Sequence, residues 1–231
     1  MNIKFLGTGG AFDYEFSNSS AWIQFQGKNI LIDCGNSVYR RLRETGLADQ
    51  IDYILLTHFH DDHVGSLSSV ILHHKYFLDP ARKARILVPS QSFQQMIEDY
   101  VHFSLTDPLK YLEFFPVEII PGLTALDTFG KHVEGMPTWA YCFESDEEIL
   151  AYSGDLGDPN LIFDYLKTRP QKKTRVFHET SFHVTDGVHS YYQDLNHRVD
   201  EVELYGYHCD PRDEPADNRV PLVCRFPHLL A

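Results

Sequence analysis

The hydrophobic and polar positions of this chain follow the periods of short strands and amphipathic helices. Apolar runs and alternating positions predict strands at residues 3–6, 21–25, 28–33, 51–56, 86–88, 117–120, 138–144, 148–152, 176–177 and 201–205. Apolar spacings of three and four predict helices at residues 36–45, 66–77, 92–103 and 159–168. Gly46 would end the first helix, and Ser92 with Gln95 would form a capping box for the third.

Residues 51–56 form an apolar run that predicts a strand buried on both faces. The loop that follows would lie at the carboxyl end of this strand, where open α/β sheets place their sites. That loop, residues 57–65, has the sequence Thr-His-Phe-His-Asp-Asp-His-Val-Gly. His58 and His60 would leave an extended loop on one side and hold one cation, while Asp62 and His63 turn toward a second. A merely solvated polar loop is the alternative, but this spacing favours metal binding.

The H-x-H-x-D-H spacing resembles the signature of the metallo-β-lactamase fold. The resemblance implies an α/β architecture, an αββα sandwich of two mixed sheets flanked by helices, with residues 1–231 as a single domain. It extends from the glycine-rich turn at residues 6–10 to His208 and supplies the remaining ligands in family order. The implied ligands are His58, His60 and His132 for one metal, Asp62, His63 and His208 for the other, and Asp155 shared by both.

Two further segments resemble the RNase Z-like branch of this fold. Residues 177–182, Phe-His-Glu-Thr-Ser-Phe, resemble its His-Glu-Ala-Thr loop, and residues 188–190, Val-His-Ser, resemble its His-Ser-Thr loop. The match is imperfect because Tyr191 stands where threonine is usual. The resemblance implies that Glu179 orients His189, which donates a proton to the leaving oxygen. His183 is a competing choice for this general acid.

Several residues have two interpretations at this point. Asp33, at the end of a predicted strand, could brace the histidine loop or cap the following helix. His73 and His74 lie on a predicted helix that runs away from the site, so we expect a surface or packed pair and no ligands. Cys209 could approach the metals, but a buried small apolar role is the expectation. All four cysteines lack zinc-knuckle spacing and are expected to be free thiols.

The composition limits the kinds of molecule that the protein is expected to bind. The chain has 231 residues, 43% of them hydrophobic, which is enough for one substantial core. Its 33 acidic residues exceed its 20 basic residues, for a net charge of -13, and its main basic cluster is residues 172–175. This balance argues against a long nucleic-acid footprint. No apolar run is long enough to span a bilayer and the N-terminal residues lack a signal-peptide core, so we expect a soluble, cytoplasmic protein.

The resulting hypothesis is a dinuclear metal-dependent hydrolase that cleaves phosphodiester bonds, with a small substrate such as a cyclic nucleotide. Asp62 would serve both as a ligand and as a hydrogen-bond acceptor from the attacking hydroxide. Zinc is the expected metal, with manganese and iron as alternatives. Aromatic and histidine side chains near the predicted site are candidate walls of the substrate pocket. These are Phe182, His183, Tyr191 and Tyr192.

Two rival functions share the same site. A tRNA 3'-end endonuclease is the alternative, although the segment of residues 133–154 is too short for the tRNA-gripping arm that RNase Z carries there. A lactonase or thioester hydrolase is a third hypothesis, which would leave the His-Glu and His-Ser segments unexplained. The family resemblance also suggests a homodimer.

Overall fold

The computed structural model describes residues 1–231 and contains two β-sheets. The first sheet is formed by β1 (Asn2–Gly7), β2 (Ser20–Phe25), β3 (Lys28–Ile32), β4 (Tyr53–Leu55), β5 (Ala84–Val88) and β6 (Leu112–Pro116). The second is formed by β7 (Leu123–Asp127), β8 (Trp139–Glu144), β9 (Glu148–Tyr152), β10 (Lys173–Glu179) and β11 (Glu203–Tyr207).

Both sheets are mixed. The first has the order β1-β2-β3-β4-β5-β6, antiparallel across β1, β2 and β3 and parallel from β3 to β6. The second has the order β11-β10-β9-β8-β7, parallel across β9, β10 and β11 and antiparallel across β7, β8 and β9. Two mixed sheets flanked by helices are the architecture expected from the sequence.

Six helices accompany the sheets. They are α1 (Val38–Thr45), α2 (Asp61–Val64), α3 (Leu67–His73), α4 (Gln91–Leu105), α5 (Asn160–Lys167) and α6 (Tyr192–Leu195). Helices α1, α3 and α4 pack on the outer face of the first sheet, and α5 and α6 pack on the outer face of the second. None of these helices is both long and apolar enough to cross a membrane.

Strand periodicity divides the buried residues between the layers. Along β3, Ile30 and Ile32 point into the core between the two sheets, whereas Leu31 points toward the helices. This is the alternation that a pleated strand imposes. Phe5 of β1 crosses the inner layer, with its ring centroid 5.3 Å from that of Phe177 and 5.5 Å from that of Tyr207. The two sheets are therefore held together by aromatic packing directly below the ends of β10 and β11.

One predicted strand is wrong and two strands were missed, all at the edges of the two sheets. Residues 117–120 are not a strand, because Val117–Ile119 forms a short 3-10 turn. The strands at Leu112–Pro116 and Leu123–Asp127 were not predicted. Each is an outer strand of its sheet, and most of its side chains are only partly buried, so neither shows a clear apolar period. The helix α4 begins one residue earlier than predicted and is capped by Ser90, whose hydroxyl accepts from the Phe93 amide at 3.2 Å.

The predicted helix at residues 66–77 is divided into two parts. The helix α3 ends at His73, and one π-helical turn continues from His74 to Leu78. After the last strand, the tail returns to the core, where Val220, Leu222 and Leu229 are buried.

The strand directions bring five loops together at one edge of the sandwich. Asp33 follows β3 and the histidine loop follows β4, while Asp155 follows β9 and His208 follows β11. Glu179 is the last residue of β10. Because β3 runs parallel to β4, and β9 and β11 run parallel to β10, all these segments leave their strands at carboxyl ends.

Candidate metal centre

Four predicted ligands converge in the first half of the site. Nε2 of His58 lies 3.0 Å from Nδ1 of His60, which lies 3.2 Å from Nε2 of His132. Oδ2 of Asp155 is 3.8 Å from Nε2 of His58 and 3.7 Å from Nε2 of His132. One ligand atom from each of the four residues therefore faces a common point, and the set could hold a metal ion.

The second half of the site is built in the same way. Oδ2 of Asp62 lies 3.4 Å from Nε2 of His63 and 3.2 Å from Nε2 of His208. The two oxygens of Asp155 complete the set, with Oδ1 at 3.4 Å from His63 and Oδ2 at 3.5 Å from His208. Asp155 is thus the carboxylate that contacts both halves. The structure brings together all seven predicted ligands.

The spacing of these atoms fits metal coordination. A tetrahedral zinc with nitrogen ligands at about 2.0–2.1 Å separates its ligand atoms by about 3.4 Å. The distances between ligand atoms given above run from 3.0 to 3.8 Å, on either side of that value, and all ligand atoms of a set lie within 4.8 Å of one another. Two of them, Nε2 of His63 and Oδ1 of Asp155, are buried without any hydrogen-bond partner. Buried polar atoms are rarely left unpaired. A cation bound by both atoms would give each of them a partner.

The charge state of the side chains indicates the same need for a cation. Burial lowers the pKa of His58 and His60, which favours the neutral, ligating form of each. Burial opposes charge on His63 too, but the carboxylates of Asp155 and Asp33 raise its pKa well above the usual value. A protonated His63 in this position supplies the positive charge that a metal ion would otherwise supply.

Side chains behind the ligands fix their orientation. Asp33 is fully buried and its Oδ2 lies 2.9 Å from Nδ1 of His63, while the Thr57 amide donates to Oδ1 at 2.7 Å. Nδ1 of His58 lies 3.0 Å from the Thr57 hydroxyl, and Nδ1 of His132 lies 2.7 Å from the Val188 carbonyl. Each of these three histidines therefore has its second nitrogen engaged, as ligating histidines do. Of the two interpretations of Asp33, the brace is correct.

Backbone strain is concentrated at the same loops. Asp33 has a φ of 59° and His208 a φ of 65°, both in the left-handed region that L-residues seldom occupy. Gly154 also has a positive φ, and a Cβ on it would lie 2.8 Å from Cβ of Thr57. Such conformations persist where surrounding contacts enforce them, which is typical of functional sites. The tight packing of Gly154 holds the neighbouring Asp155 against the histidine loop.

The candidate acid, His189, lies beside the shared carboxylate. Its Nδ1 is 3.3 Å from Oε2 of Glu179 and 3.9 Å from Oδ2 of Asp155. Burial alone would lower the pKa of His189, but Glu179, Asp155 and Asp62 together raise it to about 9. His189 is therefore protonated at neutral pH in the metal-free protein.

Glu179 is held so that only one oxygen can serve His189. Its Oε1 accepts from the amides of Leu156 at 3.1 Å and Ser190 at 2.9 Å. Its Oε2 is buried, faces Nδ1 of His189 and makes no hydrogen bond to any other group. The competing acid, His183, is exposed and pairs with Asp213 at 3.3 Å, so it is not among the residues gathered at the ligands. The structure favours His189 on geometry.

Two of the four predicted pocket walls are buried, whereas His183 is exposed and Tyr191 is half-buried. Phe182 and Tyr192 are buried and pack on each other, with ring centroids 5.9 Å apart, and both pack on Leu222. The hydroxyl of Tyr192 also donates to Asp217 at 2.7 Å. These two side chains belong to the core under the loop and do not face a substrate. Cys209 packs against the same cluster, and burial raises the pKa of its thiol, in keeping with an apolar role.

Sequence reasoning missed the residues that support the ligands from behind, namely Thr57, Leu156 and Val188. The last two act through backbone atoms, which carry no side-chain signal in the sequence. Thr57 was visible as the residue that joins the buried strand to the histidine loop. His73 and His74 are both buried and lie outside the ligand sets, so they form the packed pair that was one of the two expectations.

Comparison with known proteins places this geometry in context. The profile of the family described as Anti-Pycsar protein Apyc1 matches residues 1–220. A relative named Anti-Pycsar protein Apyc1, from Bacillus phage BSP38, is 32% identical over 224 residues, covering 87% of this chain and 84% of that protein. The metallo-beta-lactamase fold protein YhfI from Bacillus subtilis superposes with a TM-score of 0.68 at 17% identity, covering 90% of this chain and 85% of that chain. The short form of human tRNase Z superposes with a TM-score of 0.64 at 17% identity, covering 92% and 93%. These likenesses show a metallo-β-lactamase fold.

Proposed function

The chain belongs to the family described as Anti-Pycsar protein Apyc1, and from this premise we propose that it is a metal-dependent hydrolase that cleaves phosphodiester bonds. We propose further that its substrate is a small phosphodiester such as a cyclic nucleotide. One observation carries the proposal. Asp155 belongs to one ligand set and contacts His63 and His208 of the other, and His189, which faces Glu179, lies beside this carboxylate and outside both sets.

The seven converging residues would hold two divalent cations, with zinc as the expected metal. Cations in these positions would lower the pKa of a water molecule and offset charge on the phosphoryl oxygens. The protein's part is to orient the histidines, which the partners of His58, His63 and His132 do. Asp62 has an additional role in the proposal, since it can accept a hydrogen bond from the attacking water while it ligates.

The pair of His189 and Glu179 supplies the proton for the leaving oxygen. Glu179 faces Nδ1 of the imidazole, so Nδ1 carries a proton toward the carboxylate and Nε2 is directed elsewhere. A phosphodiester needs such a donor because its leaving alkoxide is a strong base. A thioester hydrolase would need the donor less, because its leaving thiolate is a much weaker base, so this pair favours a substrate with an alkoxide leaving group such as a phosphodiester.

The surface favours a small substrate over tRNA. Residues 133–154, where a gripping arm would begin, contain β8, β9 and the tight turn between them. The basic cluster at residues 172–175 is engaged in ion pairs, with Lys172 2.9 Å from Glu144 and Arg175 3.0 Å from Glu148. A tRNA footprint depends on free Lys and Arg to replace counterions, and these are already neutralised.

The test is an activity screen of the metal-reconstituted protein with cyclic mononucleotides, bis-p-nitrophenyl phosphate and a precursor tRNA. We expect hydrolysis of the small diesters, and we expect kcat/KM to fall only slightly between low and physiological salt. Cleavage of a precursor tRNA would instead lose orders of magnitude over the same range. Efficient cutting of the tRNA at its 3' end, with the small diesters left intact, would replace this proposal by the tRNA endonuclease.

Oligomeric state is a separate part of the proposal. Tyr76 and Phe77, in the π-helical turn after α3, are 69% and 63% exposed, and Phe103 near the end of α4 is 92% exposed. Neighbouring large apolar side chains at this exposure are typical of surfaces that become buried in an assembly. They support a homodimer, which sedimentation velocity can test directly.

A further inference from the structure

The turn between β1 and β2 carries an aromatic side chain beside the candidate metal centre. The amide of Asp13 donates to the Gly10 carbonyl at 3.3 Å, which closes a β-turn with Ala11 and Phe12 at its corners. Phe12 is 91% exposed, although phenylalanine is a large apolar residue. A single exposed apolar side chain needs no explanation by itself, so the surroundings of this turn decide its meaning.

The base of the turn lies against a ligand. A Cβ added to Gly10 would lie 3.7 Å from Cε1 of His208, and the amide of His208 donates to the Thr8 carbonyl at 2.7 Å. Phe12 is two residues beyond Gly10, so its backbone is within about 7 Å of the position that adjoins the imidazole. The turn that carries Phe12 therefore lies at the rim of the second ligand set.

This rim is continuous with the loop that carries His189. Arg212, four residues after His208, pairs with Glu15 of the turn segment at 3.1 Å. The next residue, Asp213, pairs with His183 at 3.3 Å. The segment after β11 thus links the turn on one side of the site to the loop of residues 181–189 on the other.

The turn is also held in place. The amide of Gly9 donates to the Ser17 carbonyl at 2.8 Å, and the side-chain amide of Asn18 donates to the Gly10 carbonyl at 3.3 Å. Oδ1 of Asp13 accepts from the amides of Glu15 and Phe16, both at 2.9 Å. A ring presented on an anchored turn loses little conformational freedom when it contacts a ligand.

From this arrangement we infer that Phe12 is a specificity residue, on which the nucleobase of a cyclic nucleotide stacks while the cyclic phosphate lies at the metal ligands. The inference rests on the proposed function and names the part of the site that would recognise the base. Two of the aromatic walls expected from the sequence, Phe182 and Tyr192, are buried. Phe12, which was not among the expected walls, is exposed. Every base has a flat π-face, so this contact would favour nucleotides over other diesters without selecting one base strongly.

The test compares Phe12→Ala with the matched control Tyr14→Ala. Tyr14 is 95% exposed on the same loop, but it lines a separate cavity of about 520 Å³ together with Ser37, Arg41 and Leu230. Each variant is assayed for kcat and KM on a cyclic mononucleotide and on the corresponding cyclic ribose phosphate without its base, which has no aromatic ring to stack. Metal content and sedimentation are measured alongside.

Loss of one stacking contact lowers kcat/KM for the cyclic nucleotide by about tenfold or more, mainly through KM. For Phe12→Ala we expect this loss, with hydrolysis of the base-free cyclic ribose phosphate within about twofold of wild type. Phe12→Trp should restore the nucleotide activity, and Tyr14→Ala should change neither substrate.

Two results overturn the inference while the proposed function stands. They are an unchanged KM for the nucleotide in Phe12→Ala, and equal losses on both substrates, which would assign Phe12 to structure or assembly. If the wild-type protein hydrolyses no cyclic nucleotide, the proposed function is wrong and the inference is refuted with it.

Discussion

His74 gives a stability prediction that is independent of the metal centre. It begins the π-helical turn after α3 and is only 1% exposed, and neither ring nitrogen has a hydrogen-bond partner. Burial, together with Arg82, His73 and Arg85, lowers the pKa of this imidazole from 6.5 to about 4, with Asp49 as the one opposing charge. The folded protein therefore holds His74 neutral at a pH where the unfolded chain would protonate it.

The sign and size of the effect follow from linkage. Because the folded-state pKa lies below the unfolded value, the contribution to stability is fully present above about pH 6.5 and is lost as the pH falls toward 4. The complete loss corresponds to about 3 kcal/mol, from roughly 1.4 kcal/mol for each pKa unit. At about pH 5 the loss in unfolding free energy would be about 2 kcal/mol.

The perturbation is His74→Leu, which removes the titrating group and replaces an unpaired polar side chain by an apolar one. We expect the variant to be as stable as wild type at about pH 7.5, and to lose about 2 kcal/mol less than wild type on going to about pH 5. The assay is urea unfolding followed by fluorescence and circular dichroism at both pH values, with coincident transitions as the two-state check. His102→Gln, an exposed change on α4, is the control and should follow wild type.

Protonation of the metal-ligating histidines affects wild type and both variants alike, so it cancels when the pH-dependent losses are compared. An identical loss in wild type and His74→Leu would refute the reasoning. So would a large loss of stability in the variant at about pH 7.5, because the imidazole would then have a partner that the structure lacks.

The remaining predictions concern the site. Elemental analysis of the reconstituted protein should give two divalent metal ions per chain, and one or none would contradict the two ligand sets. Asp33→Asn should weaken metal affinity by about 10–100-fold in a chelator competition, because His63 loses the partner of its Nδ1; unchanged affinity would exclude the brace. His189→Ala should lower turnover of a cyclic nucleotide by about a hundredfold with metal content unchanged. Its effect should be much smaller with p-nitrophenolate as the leaving group, and equal losses would argue against proton donation.

The convergence of the candidate ligands could be predicted from the sequence. It depends only on their spacing within one loop and on the direction of the strands that precede them. Residues 57–65 contain four of the seven within one loop, and each of the others except His132 directly follows a predicted apolar strand. Strands that run in parallel deliver such residues to one edge whatever the details of packing. His132 was identified by family spacing alone, and its own contacts, such as the Val188 carbonyl, lie far away in the sequence.

The sequence could not show which aromatic side chains form the pocket walls, and the reason is physical. Phe182 and Tyr192 lie in the right loop, but whether an aromatic ring faces a ligand or the core depends on what packs beneath it. Here Leu222, which returns from the C-terminal tail, provides an apolar surface that buries both rings. Phe12 has no such neighbour and remains exposed on its turn. The sequence analysis named Phe182 and Tyr192 as pocket walls and did not name Phe12, because only tertiary contacts show which of the three rings is buried.

The residues proposed for proton donation and for metal ligation are held in different ways, although both lie at one edge of the sheets. Asp155 faces five histidines of the site, including His189, and its contacts with the ligands connect both halves. Glu179, in contrast, is fixed by the backbone amides of Leu156 and Ser190, which do not depend on any cation. The orientation of His189 toward Glu179 is therefore set by the polypeptide itself. For this reason, a variant at His189 should change the dependence on the leaving group while the affinity for metal stays unchanged, and a variant at Asp33 should do the reverse.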